Sequence, residues 1–226
     1  MKKWSILLGC ILCSFFLSAQ SNTTKTVTIE LKPVFDSNLL LLSSENINSK
    51  QQKVVIASLK FYLSDLSFFH NGKQVWKEPH SYHLINVSDS SSLSISLNIP
   101  KNIDYNELYF LFGTDSITNV SGAMGGDLDP TNGMYWAWNS GYINFKMEGK
   151  WNDTPFEYHL GGYSAPNSTV QAIQLKTKSK DHVVIQFDVS AFFNQLLSTS
   201  PHKIMSPGKE AVELMQVLAK LFVIHE

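Results

Sequence analysis

Apolar residues recur at every second position through most of this chain. That period commits it to strands, because alternate side chains of an extended backbone face opposite sides. Val27, Ile29 and Leu31 share one side of the first run. Leu93, Ile95, Leu97 and Ile99 alternate until Pro100 ends their run. Residues 53–69 form a longer β-rich stretch, predicted to bend or bulge midway and to lead into a hairpin at Asn71-Gly72. Further strands are predicted over 81–87, 106–113, 141–151, 156–163, 170–176 and 182–189. In 141–151, Tyr142, Asn144, Lys146 and Glu148 fall on one face, with Ile143, Phe145 and Met147 on the other. Helix is expected only late: a short piece after an Asp188/Ser190 cap, and a longer one over 207–222 with Val212, Leu214, Val217, Leu218 and Leu221 near helical period. The last residues read as a closing strand. Many short strands with little helix predict an all-β fold: a single-domain antiparallel β-sandwich or barrel-like body with one or two short C-terminal helices.

The first 19 residues read as a signal peptide rather than as structure. Lys2 and Lys3 precede an apolar run, and Ala19 is small enough to precede a cut. Residues 20–226 are then one β domain, periplasmic or secreted. The run is short for a membrane span and lacks a charged flank after it, so no stable span is expected. A lipoprotein reading at Cys10 is disfavoured, because the residues after it are still apolar. Both cysteines, Cys10 and Cys13, fall in this leader, so the mature chain has no disulfide, no thiolate metal site and no Cys nucleophile. The basic residues are all lysine, 18 of them against 19 acidic residues. Without Lys2 and Lys3, 16 lysines face those 19 acids, a net charge of −3. A chain with no arginine and no basic stripe is not built to read nucleic acid.

Residues 113–133 are rich in Gly, Asp, Asn, Ser and Thr and read as a loop of about 20 residues, a length often tied to function. Asp115, Asp127, Asp129 and Asn132 offer oxygen ligands for Ca²⁺, or a set of Asx turns. Directly after the loop, "GMYWAWNSGY" sets Trp136 and Trp138 two apart, hence on one face of an extended strand. That pair could serve as core, as one wall of a metal site, or, with Tyr142 and Trp151, as a carbohydrate-stacking surface. Among seven histidines, His70, His182 and His202 read as solvated. His83 and His159 each sit in a Tyr-His-Leu triplet within a β-like run. Each is either a half-buried imidazole satisfied by a carbonyl or a metal ligand. No nucleophile elbow, P-loop or dinucleotide fingerprint is present, so no catalytic residue is assigned and the chain is read as a non-enzyme.

Taken in order, "LKFYLSDLSFFHNG", "YHLINVSD", "LDPTNGMYWAWNSGYINFKMEG" and "FEYHLGGY" resemble the MbnP-like family of periplasmic copper-binding proteins, over most of the chain from about Lys25 onward. The W-x-W core and the later His-Leu-Gly are the specific elements. The resemblance implies an exported β-rich protein that binds one Cu(I) for copper homeostasis. It implies oxidation of the first Trp, here Trp136, to a kynurenine that supports binding, with Trp138 as the supporting second Trp. It implies a MauG-like dihaem peroxidase as the partner that carries out this oxidation. His159 matches the His-Leu-Gly element and is the first candidate ligand; His83 is the second, on its parallel setting.

Overall fold

The computed structural model describes residues 23–196 and 200–225; the leader read over residues 1–19 lies outside the described residues. The chain begins with strands β1 (Thr24–Phe35), β2 (Asn38–Leu39) and β3 (Glu45–Ile47), then the long β4 (Lys53–His70). Strands β5 (Lys73–Lys77), β6 (Tyr82–Asn86), β7 (Ser94–Pro100) and β8 (Glu107–Phe112) follow. Helix α1 (Ser116–Val120) opens the long loop, which ends at β9 (Tyr135–Trp136). Next come β10 (Gly141–Trp151), β11 (Thr154–Gly161), β12 (Gln171–Lys176) and β13 (His182–Asp188). Helix α2 (Val189–Gln195), β14 (Lys203–Ile204), helix α3 (Lys209–Ala219) and the closing β15 (Phe222–His225) complete it. The fold is all-β as expected. Among the described residues no helix is long and apolar enough to cross a membrane.

Two sheets face each other. The smaller runs β15-β13-β1-β2, with β7 also on β1; the larger follows the path β12-β8-β4-β10-β11-β14, with β3, β5 and β6 on β4 and β9 on β10. Pairing is antiparallel, as expected, except in two places, where β1 pairs β13 and β11 pairs β14 in parallel. Alternation reports which side a residue faces and is blind to strand direction.

The main core lies between the sheets. Val27, Ile29 and Leu31 of β1, Ile95, Leu97 and Ile99 of β7, and Ile185 and Phe187 of β13 meet Leu59, Phe61, Leu63, Phe112, Phe145, Met147, Tyr158 and Leu160 of the larger sheet. Phe187 and Phe222 reach across, with ring centroids 5.5 Å from Phe61 and 5.0 Å from Phe112. The expected midway break in β4 is there: pairing with β8 shifts between Ser64 and Ser67, and Asp65 takes φ 58°. Asn71 and Gly72 both have positive φ, as the predicted hairpin requires.

The outer face of the larger sheet carries a second apolar cluster of Tyr62, Leu128, Met134, Trp136, Tyr142 and Ile143, flanked by Tyr82, Leu84 and Tyr135. The loop of residues 113–133 folds over this face rather than standing free. Tyr62 Oη donates to the Asp127 carbonyl, Lys60 Nζ to the Asn132 carbonyl, and Leu84 N–H to the Asp127 carboxylate. The expected face assignment holds for Phe145 and Met147 but not for Ile143, which joins Tyr142 in the outer cluster. Its cause is a register shift between Ile143 and Phe145, where Asn144 turns inward and is fully buried. Asn144 Oδ1 accepts from Thr114 N–H and Oγ1, and its Nδ2 donates to Thr169 Oγ1, so the bulge is held by a satisfied polar network.

Candidate metal centre

Trp136 ends the two-residue strand β9, paired to Gly141 at the start of β10. Residues 137–140 then form a turn, so the strand stops before Trp138. This corrects the expectation that one strand presents both indoles on one face. Trp136 is 5% exposed and Trp138 is 66% exposed. The rings nevertheless touch, with centroids 5.7 Å apart and planes tilted by 44°. Trp136 packs against the backbone at Gly161: a Cβ there would come within 2.6 Å of its ring and of the Tyr142 carbonyl oxygen. Its Nε1 is buried and has no hydrogen-bond partner. An unpaired buried donor costs about 1–3 kcal/mol and calls for an explanation.

His159 lies two residues before Gly161 on β11 and therefore on the same side. It pairs with Lys146, which pairs with Lys60 of β4, so all three face outward on the side that carries Tyr62. His159 is 7% exposed, and its Nε2 lies 2.7 Å from Glu148 Oε1. Burial raises the Glu148 carboxyl, but the His159 hydrogen bond and the Lys146 ammonium, 3.3 Å away, outweigh it and hold the group below its usual range. Burial likewise pushes the imidazole below its ordinary 6.5, helped by Lys146 and opposed by Glu148. The pair is thus a neutral imidazole and an ionised carboxylate. Because a carboxylate can only accept, His159 donates Nε2–H and keeps Nδ1 as its lone-pair nitrogen. A carboxylate that orients a histidine in this way is the usual support behind a metal-bound imidazole.

His83 has the same local chemistry elsewhere. Its Nε2 lies 2.7 Å from Glu78 Oε2, and it pairs with Leu63, a main-core residue. Its neighbours Tyr82 and Leu84 flank the outer cluster. His83 therefore faces the opposite side of the sheet from His159, and the two do not converge. Among the described residues no three His, Cys, Asp or Glu side chains gather as a metal-binding group.

The acidic loop is organised by caps. Asp115 Oδ1 accepts from Thr118 N–H, Asp129 Oδ1 from Thr131 N–H and Oγ1, and Asp127 Oδ2 from Leu84 N–H. Asn132 Nδ2 donates to the Gly126 and Asp127 carbonyls. The carbohydrate-stacking surface is corrected: Trp136, Tyr142 and Trp151 are buried, and of the four rings only Trp138 is open to solvent. Sequence reasoning missed Glu148 as the partner of His159, and Gly161 as the seat of Trp136. Glu148 and Lys146 were legible as one face of a strand, but their partner on β11 depends on register.

A family model described as MbnP matches residues 24–206. Among solved structures, MbnP from Methylosinus trichosporium is similar, with a TM-score of 0.54 at 13% identity over 84% of this chain and 87% of that chain. At that identity the likeness concerns the fold. Comparison with curated protein sequences gives no match.

Proposed function

The chain belongs to the MbnP family, and on that premise we propose that it is an exported, non-catalytic protein that binds one Cu(I) on the outer face of its larger sheet, for copper handling outside the cytoplasm. His159 supplies an imidazole nitrogen through Nδ1. Trp136, once oxidised to kynurenine, supplies an aryl amine nitrogen. Nitrogen donors of this kind suit copper.

One observation carries this reading. A buried indole with an unpaired N–H sits against Gly161, on the side of β11 that holds a neutral, carboxylate-oriented histidine. As an indole, Trp136 is a donor only and a poor ligand. Oxidative opening of the ring converts this donor-only nitrogen into an aryl amine whose lone pair can bind a metal. In net terms two hydrogen peroxide molecules take up the four electrons, two oxygen atoms are inserted across the cleaved C2–C3 bond and two waters are left over, giving N-formylkynurenine. Hydrolysis then releases formate and frees the amine. The MauG-like dihaem peroxidase implied by the family is the proposed oxidising partner. The face also carries Lys60 and Lys146. Their charges oppose any cation, and a monovalent ion half as strongly as a divalent one, which favours Cu(I) over Cu(II) or Ca²⁺. His83, on the other face, is left out of the ligand pair.

Mass spectrometry of the protein from its native host, grown with copper, tests the proposal. Kynurenine at position 136 and one Cu(I) per chain are expected. An intact indole in copper-loaded native protein would remove Trp136 from the ligand set, and a copper-free, metal-indifferent protein would sink the whole reading.

A further inference from the structure

The proposed oxidation of Trp136 meets a physical obstacle. The indole is almost wholly enclosed, so a bulky oxidant cannot touch it. Trp138 is the exception in its surroundings, a large ring two-thirds open to solvent on a four-residue turn, in contact with the buried ring. A lone exposed indole needs no special account. One whose other side touches a buried, oxidisable indole connects that indole to the surface.

We infer that Trp138 is the electron exit from Trp136: a one-electron oxidant at the surface takes an electron from Trp138, and the Trp138 radical cation takes one from Trp136. The first step reduces the oxidant by one electron and leaves the hole on Trp138. The second restores Trp138 and places the hole on Trp136, and no bond is made or broken in either. The oxidant is a high-potential one-electron acceptor too large to enter the fold, such as a high-valent haem held in another protein.

Three neighbouring phenols compete poorly for the hole. Oxidising a phenol in the protein requires a base for its proton. Tyr62 Oη donates to the Asp127 carbonyl and Tyr142 Oη to the Leu128 carbonyl, and a carbonyl is not such a base. Tyr82 donates to Asp115, whose carboxyl is held below its usual range: burial raises it, but the Thr118 and Tyr82 hydrogen bonds prevail, so it is a weak proton acceptor. The indoles need no such base, and the buried one has no acceptor at all on Nε1.

This role rests on the oxidation proposed above, but its test does not need the natural partner. Chain produced without an oxidising partner is mixed with photogenerated tris(bipyridine)ruthenium(III), a one-electron oxidant too bulky to enter the fold, and oxidised residues are mapped by mass spectrometry. The wild type should yield oxidation at both positions 136 and 138. Trp138→Phe, which keeps a ring that cannot be oxidised, should lose the Trp136 product to the level of a dark control. Trp138→Tyr, which restores an oxidisable ring, should recover it. Equal oxidation of Trp136 in wild type and Trp138→Phe would overturn the inference. So would kynurenine at position 136 in Trp138→Phe from the native host, while leaving the copper reading intact. Conversely, an intact Trp136 in native protein together with Trp138-dependent oxidation by ruthenium would remove Trp136 from the ligand set and keep the electron exit.

Discussion

Two identical triplets, Tyr82-His83-Leu84 and Tyr158-His159-Leu160, sit in this fold with opposite parity. In β11 the tyrosine and leucine enter the main core and the histidine looks outward. In β6 the tyrosine and leucine flank the outer cluster and the histidine shares a face with Leu63 and Ile85. Both imidazoles lie 2.7 Å from a glutamate through Nε2. Local chemistry therefore does not separate them; the face they occupy does. Only His159 lies on the side of the orphaned Trp136 indole, where burial pushes its pKa down. A histidine–glutamate pair becomes a candidate metal site when a second donor shares its face.

The comparison breaks first at copper. His159→Ala should abolish stoichiometric Cu(I) binding in competition with a Cu(I)-specific chelator, whereas His83→Ala should leave stoichiometry and affinity unchanged. Equal losses would mean that both histidines serve the ion and that parity is irrelevant.

The flanking leucines sharpen it next. Leu160→Ala, in the main core, should destabilise the chain by ~2–5 kcal/mol in denaturant unfolding. Leu84→Ala, only half-buried, should cost about 1 kcal/mol. A reversed order would contradict the assigned faces.

The two glutamates differ in the same sense. Glu148→Gln should lower Cu(I) affinity roughly 10- to 100-fold, the usual loss when the group that orients a ligand is altered. Glu78→Gln should leave it alone. An unaffected Glu148→Gln protein would detach the carboxylate from the site.

The smallest difference is in acid. Burial depresses the folded-state pKa of His159 below 6.5, so the unfolded chain binds its proton first. The contribution of neutral His159 to stability is complete above pH 6.5 and is lost as pH falls from there through the folded value, by at most about 1.4 kcal/mol per pH unit. Metal-free wild type should therefore weaken on acidification through this window more than His159→Gln does.

Much of the fold was legible in advance. The buried residues of β1 and β7, the break in β4, the Asn71-Gly72 turn, the late helices and the closing strand all follow from local period and turn chemistry. The site was legible as an inventory, Trp136 and His159 among it, but not as an arrangement. Trp138 leaves the strand because the chain must turn within residues 137–140 to pair Trp136 with Gly141. Ile143 changes face because Asn144 is drawn into a bulge by two threonines distant in sequence.

By itself, the sequence determined what nearest neighbours along the chain can decide: which stretches extend, which residues alternate, where turns fall, and the motifs by which the family is recognised. The tertiary structure alone decided which face became core and which became site. That choice rests on cross-strand register, and a one-residue shift inverts every side chain it governs. Two copies of Tyr-His-Leu, alike in their alternation along the chain, were thus sent to opposite sides of one sheet.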